Sequence, residues 1–211
     1  MAMKQKNCTN KALIGLIVLV AIEVGVMALI PAVYVKRSDN RVVRSFGSWL
    51  PVARVGSHSI SYGQFLEARD AIKNYFASDA GKQAGATGGL TDDVEKGALD
   101  QLVRRDLLDD IASEKKLSLT DADVKKQFDE IAAQASSTMP DPDKYLRDTF
   151  HWTRSQFQAN VIRPELLSER LSAVYASDTQ AGAAALETDI QTRLAKPDVH
   201  IFIQFPGATQ K

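Results

Sequence analysis

Cysteine is all but missing: Cys8 is the only one in 211 residues, so no disulfide can form within the chain and packing must hold it together. Histidine is scarce as well. His58, His151 and His200 are scattered with no metal-ligand spacing and read as structural or surface residues. Neither sign of charge prevails: 26 Lys and Arg stand against 26 Asp and Glu, and beyond residue 35 the balance is 23 against 25. A nearly neutral domain offers no electrostatic case for nucleic acid. Gly81-Lys82 and glycines 85, 88 and 89 do not make a phosphate-cradling G-x-x-x-x-G-K-[ST] loop, and no G-x-S-x-G elbow occurs. Arg104, Arg105, Asp106, Asp109 and Asp110 mix both signs within two helical turns and read as a solvated face, not an acid–base pair. No catalytic residue, metal site or cofactor is expected.

What the chain does have is an apolar run from Ala12 to Val35, broken only by Glu23. At a helical rise of about 1.5 Å per residue this run reaches roughly 36 Å, enough to cross a hydrocarbon core of about 30 Å. It is too long for the apolar core of a signal peptide, and Ala28-Leu29-Ile30-Pro31-Ala32-Val33-Tyr34 offers no small-residue cleavage site. Residues 12–35 are therefore expected to be a retained transmembrane helix behind a short cytoplasmic tail, 1–11. Lys4, Lys6 and Lys11 precede the run and Lys36, Arg37, Arg41 and Arg44 follow it, so the positive-inside rule does not fix the orientation. A short tail with a large domain behind the span fits a signal anchor, domain outside. Glu23 reads either as a protonated or snorkelling carboxyl, or as the contact for a partner helix within the membrane.

Residues 36–50 read as a polar, basic stem. From Pro51 the pattern changes. Val52-Ala53-Arg54-Val55 and His58-Ser59-Ile60 are two short extended pieces about a Gly56-Ser57 turn. Ser61-Tyr62-Gly63-Gln64 is a capping box, and Phe65, Ala68, Ile72, Tyr75 and Phe76 then repeat at helical spacing. Ala80 to Gly89 reads as loop. A helix from Asp92 to Lys116 carries too wide an apolar stripe for a surface helix and is expected to be central. Thr120 opens a third helix with Val124, Phe128, Ile131 and Ala135 on one face. Asp141-Pro142 supplies an N-cap and N1 proline, and Thr153-Arg154-Ser155-Gln156 is a second capping box. Pro164, inside the pattern that follows, predicts a kink or two helices meeting at Arg163. A last helix from Asp178 gives way at Pro197 to a strand, in which Val199, Ile201, Ile203 and Phe205 share a face.

The order of these pieces is recognisable. V-A-R-V-G-x-x-x-I-S (Val52 to Ser61) leads into F-L-x-A-R (Phe65 to Arg69). Then come L-D-Q-L-V-R-R-D-L-L (Leu99 to Leu108), K-K-L-S-L-T-D-A-D-V (Lys115 to Val124) and W-T-R-S-Q-F (Trp152 to Phe157). Over Pro51 to Tyr175 the chain resembles the N-terminal chaperone domain of the SurA, PrsA and PpiD group, extracytoplasmic relatives of the peptide-binding region of trigger factor.

The resemblance implies a mainly α fold: a single transmembrane helix, then a helical chaperone domain over 51–205 with a small β element from its N- and C-terminal strands, and a tail, 206–211. It implies a membrane-anchored, extracytoplasmic protein that binds unfolded or partly folded exported polypeptides without catalysis. Members of the group usually carry a parvulin-type prolyl isomerase domain; only 36 residues follow Tyr175 here, too few for one. Val199-His200-Ile201-Phe202 is either a remnant of such a domain or, as an apolar edge needing a partner, the strand that closes the chaperone core on Val52–Val55. Two other readings stand beside the chaperone: an accessory or scaffold subunit of a membrane complex, and a truncated isomerase. Client capture needs apolar surface that the fold leaves uncovered. Tyr75, Phe76, Phe150 and Trp152, aromatic residues near helix ends, are the candidates for it, with Met139 in the Ser136–Pro142 loop behind them.

Overall fold

The computed structural model describes residues 27–86, 88–135, 140–176 and 179–208, the side chains of 179–181 excepted. Glu23, Cys8, Met139 and most of the expected span lie outside the described residues, and among these no helix is long and apolar enough to cross a membrane.

The chain enters as a helix over 27–34 (α1), turns, and forms α2 (Arg41–Gly47), whose N-cap Asn40 accepts from the Val43 N–H. A hairpin follows, β1 (Pro51–Val55) and β2 (His58–Ser61). The expected capping box at Ser61 and Gln64 opens α3 (Tyr62–Ala77). The Ser78 side chain then caps one more helical turn, α4 (Asp79–Gln83), inside the stretch expected to be all loop. Its hydroxyl accepts from Gly81 N–H at 3.0 Å, which is enough to hold a single turn despite the glycines around it.

The long helix α5 (Asp92–Glu114) is central as expected. It buries Leu99, Leu102, Val103, Leu107, Leu108 and Ile111, with α3, the hairpin and the two last helices packed around it. It stops before the expected Lys116, because that residue adopts a left-handed φ of 55° and Leu117 N–H turns back to the Ala112 carbonyl at 2.8 Å.

α6 (Asp121–Gln134) and α7 (Pro142–Phe150) start at the caps read from sequence, Thr120 and Asp141. With α8 (Arg154–Phe157) they enclose a small second core of Val124, Phe128, Leu146 and Ile162. A π-helical turn over Gln158–Ile162 then passes into α9 (Arg163–Tyr175), and α10 (Thr179–Leu194) packs back along α9. That pair meets at Gly182: a Cβ there would lie 2.0 Å from the Ser172 carbonyl oxygen, so only glycine fits the crossing.

β3 (Val199–Ile201) pairs antiparallel with β1, giving the sheet order β2-β1-β3, with Ala53 opposite Ile60 on one side and Ile201 on the other. The terminal strand thus completes a mainly helical fold with a small sheet. Its faces differ from expectation. Ile203 is buried at 4 % but Ile201 is 45 % exposed, because the regular strand ends at Ile201 and the chain continues across to α1. There Gln204 N–H donates to the Tyr34 carbonyl at 2.8 Å.

The N-terminal segment is part of the domain. Val33 and Val43 are buried in the main core, with Leu29, Ala32 and Tyr34 against it. The last part of the expected span therefore lies on protein, and residues 36–50, expected as a stem, hold a packed helix. An ion network locks them. Arg37 donates through Nε to Glu95 at 2.6 Å and pairs with Asp92, while its Nη1 reaches the Gln204 carbonyl. Buried Arg69 donates to the Arg37 carbonyl at 2.9 Å and to Asp39 at 3.0 Å. Tyr62, its hydroxyl on the Ser38 carbonyl at 2.8 Å, is fully buried, and that burial pushes its pKa up to about 12.

Candidate functional site

Small residues line an apolar concavity between α3, α5 and α9. Ala68 and Ala71 of α3 face Ala98 of α5, and with no longer side chains between the helices a half-open cleft of about 560 Å³ remains. Ile72, Leu102, Leu108 and Val161 add apolar walls, and the lining is more apolar than polar.

One rim is aromatic. α7 ends at His151, whose left-handed backbone (φ 57°) turns the chain sharply; His151 N–H reaches the Arg147 carbonyl at 3.1 Å and Trp152 N–H the Leu146 carbonyl at 3.3 Å. This reversal lays Trp152 on Phe150 with ring centroids 5.7 Å apart, and Phe150 in turn stacks on Tyr75 at 5.7 Å with planes 8° apart. The Asn74 side chain donates to the Phe150 carbonyl at 3.3 Å, and Gln156 to Glu67 at 3.0 Å, which ties this corner to α3. All three rings are half-buried and line the cleft, and Phe150 also packs against the small second core.

Arg105 lines the cleft with its guanidinium held by Asp106 at 3.1 and 3.2 Å and by the Asn160 side-chain oxygen at 3.1 Å. Burial raises the Asp106 carboxyl above the ordinary carboxylate range, and the neighbouring Arg105 opposes that rise. The mixed-charge face of α5 is accordingly not simply solvated. Arg104 bridges to Glu187 of α10 at 2.6 Å, Asp109 to Arg163 of α9 at 3.4 Å, and Asp110 to His58 of β2 at 3.2 Å.

Asn160 and Val161 reach the cleft through the π turn, and its cause is Pro164. Proline has no N–H for the Asn160 carbonyl four residues earlier, and its ring crowds that oxygen. The widened turn relieves both, with Arg163 N–H bonding to the Gln158 carbonyl five residues back. The kink expected near Arg163 takes this form.

Of the four aromatic residues picked from sequence, Tyr75, Phe150 and Trp152 come together on the cleft. Phe76 does not. One position further around α3, it lines a separate shallow groove with Lys73, Lys82 and Leu90, although its ring still lies 6.2 Å from Tyr75. From sequence Arg105 reads as part of a solvated face, and Asn160 is not singled out. The only hint was Pro164, a proline inside an otherwise helical pattern. Among the described residues no group of three His, Cys, Asp or Glu side chains is placed to hold a metal ion.

A family model described as the SurA-like N-terminal domain matches residues 1–172. The match takes in the apolar N-terminal run and extends further towards the N-terminus than the motifs from Pro51 onward. No curated protein and no solved structure matches the chain.

Proposed function

The chain belongs to the SurA-like N-terminal domain family, a chaperone-like family, and on that premise we propose that it is a membrane-anchored, extracytoplasmic holding chaperone. It binds unfolded or partly folded exported polypeptides without catalysis. The observation that carries this reading is the cleft: apolar, open to solvent, and edged by the Tyr75–Phe150–Trp152 stack.

Capture of many sequences needs contact with little readout. Aromatic faces supply large contact area at small entropic cost, and they accept aliphatic and aromatic side chains alike. Arg105, which keeps N–H groups beyond those bonded to Asp106 and Asn160, can donate to backbone carbonyls, which every client segment carries. A site that reads the backbone and buries whatever side chains accompany it is suited to holding, not to selecting one sequence.

In this reading the membrane-crossing part of the apolar run is about residues 12–28, since Val33 is buried in the domain core. At the helical rise of about 1.5 Å per residue these residues would reach about 26 Å, at the lower limit of spanning lengths.

The test uses the full chain in lipid nanodiscs, mixed at equal molar amounts with several unrelated chemically unfolded clients and followed by light scattering on dilution. Suppressed aggregation is expected, and it should be lost in a Y75A/W152A double variant that keeps its helical circular dichroism. A folded chain that protects none of the clients would remove the chaperone reading. Co-purification of one stoichiometric membrane protein in its place would make the chain an accessory subunit.

A further inference from the structure

The most exposed large apolar side chains among the described residues are not in the cleft. They are Met27 at 73 %, Trp49 at 70 %, Phe46 at 66 % and Val42 at 63 %, all within the N-terminal segment. Val42 and Phe46 lie one turn apart on α2, and Trp49 follows in the turn after it, so the three continue a single stripe. Val43 and Gly47, on the adjoining face about 100° around α2, are buried. α2 therefore carries two neighbouring apolar faces. One face is used by the domain and the other faces outward.

Gly47 shows where that outward stripe lies. A Cβ built on it would meet Val33 at 2.9 Å and Leu29 at 3.5 Å, so α1 and α2 cross in direct contact at this point. α1 is the end of the apolar run, and going back from Met27 the chain leaves the described structure into residues 12–26, which carry a single charge, Glu23. Phe46 and Trp49 flank Gly47 in the chain, at the end of α2 that meets α1. Lys36 and Arg41, exposed in the same segment, add positive charge to it. An apolar stripe with tryptophan, accompanied by basic residues and adjoining the entry of an apolar helix, has the chemistry of a membrane–water interface.

We propose that α2 and Trp49 seat on the surface of the bilayer, with Val42, Phe46 and Trp49 inserted at headgroup level and Lys36 and Arg41 against anionic headgroups. The inference rests on the reading that residues 12–28 enter a membrane. Because α1 and α2 are fixed to the domain through Val33, Val43 and the Arg37 and Arg69 ion pairs, the seat sets the orientation of the whole domain, and with it the direction in which the cleft opens. The domain is then held at one angle to the bilayer and does not swing on a tether.

Trp49 is its own probe, since the only other tryptophan is Trp152. The full-length W152F chain is reconstituted in vesicles of phosphatidylcholine and phosphatidylglycerol. Its emission is read with lipids brominated near the headgroup and with aqueous iodide. The expected result is a blue-shifted Trp49 that loses emission to brominated lipid and is protected from iodide. The reciprocal W49F chain, reporting Trp152, should show no lipid quenching. A chain that resists carbonate extraction while Trp49 stays quenched by iodide alone overturns the seat and leaves the anchor standing. Protection from both quenchers also overturns it, because a second copy or a protein partner then covers the stripe. Equal lipid quenching of Trp49 and Trp152 overturns it as nonspecific. Failure of the anchor itself appears separately, as release of the chain by carbonate; with Trp49 unquenched by lipid, that result ends both proposals.

Discussion

The guanidinium of Arg69 donates to the backbone carbonyl of Arg37, 32 positions earlier, at 2.9 Å. Arg69 is 4 % exposed, and its other contacts run to Asp39 at 3.0 Å and Glu95 at 3.7 Å. The residue at the end of the F-L-x-A-R motif thus fastens the segment after the apolar run to α3 and α5. Substitution by methionine keeps the volume but leaves a carbonyl and a carboxylate short of a donor. Asp39 is half exposed and Glu95 keeps Arg37, so the cost is that of unmade hydrogen bonds, about 1–3 kcal/mol. Urea unfolding of R69M should show a loss of that size, and a variant within experimental error of the parent would mean that the network contributes nothing net.

Gly182 predicts a sharper effect than its place in a helix suggests. Glycine to alanine in a helix interior ordinarily gains about 0.5–1 kcal/mol. Here the added Cβ would come within 2.0 Å of the Ser172 carbonyl oxygen and 2.5 Å of the Ala176 Cβ. Separating α9 from α10 to admit it should cost about 1–3 kcal/mol. A G182A chain should melt below the parent; a rise in melting temperature would show that the two helices do not cross this closely.

Pro164 is expected to trade stability against binding. P164A restores the missing N–H and removes the ring that forces the π turn, so the segment can return to regular helix, with a gain in stability. Asn160 and Val161 would then rotate relative to the cleft, and Arg105 would lose its bond to the Asn160 side chain. More stable but weaker in client protection is the expected result. Unchanged protection would separate the π turn from the site.

Acid should weaken the small second core through its surface pairs. Arg154 forms two hydrogen bonds to Asp143, at 2.9 and 2.8 Å, and they hold that carboxyl below its usual range; Arg170, with the Thr120 backbone and hydroxyl, does the same for Asp123. A carboxylate with a lowered pKa in the folded state binds fewer protons there than when unfolded. Its stabilisation is complete above the unfolded value of about 4 and is lost as pH falls through the folded one. Asp106, raised by burial, has the opposite sign: its contribution is greatest at low pH and declines as pH rises through its folded value. Urea midpoints should therefore fall from about pH 5 to pH 3 in the parent and fall less in D143N. Both pairs are half-exposed and screened by water, so each adds a small increment. Parallel pH curves would show that the Asp143–Arg154 pair does not form in solution.

Much of the local structure could be read from sequence because it is decided locally. Ser61 with Gln64, Thr120, Asp141-Pro142 and Thr153 with Gln156 satisfy helix amides within three residues of themselves, so each start can be recognised without knowing what the helix packs on. The hairpin between Pro51 and Ser61 and the wide stripe of α5 belong to the same class, and their order along the chain was enough to suggest the family.

What the fold alone decided are relations between residues far apart in the chain. Ala68, Ala71 and Ala98 look like ordinary helix formers until two helices face each other and their small side chains leave a cleft. Tyr75 and Phe76 are equivalent by composition, yet one helical step of about 100° sends them to different surfaces. Nothing local to the F-L-x-A-R motif marks Arg69 as buried; the chain folding back from Arg37 to Asn40 covers it. The apolar run gives no sign of where lipid would end and protein begin, because burial against Val43 and burial in hydrocarbon make the same demand on Val33: an apolar side chain away from water.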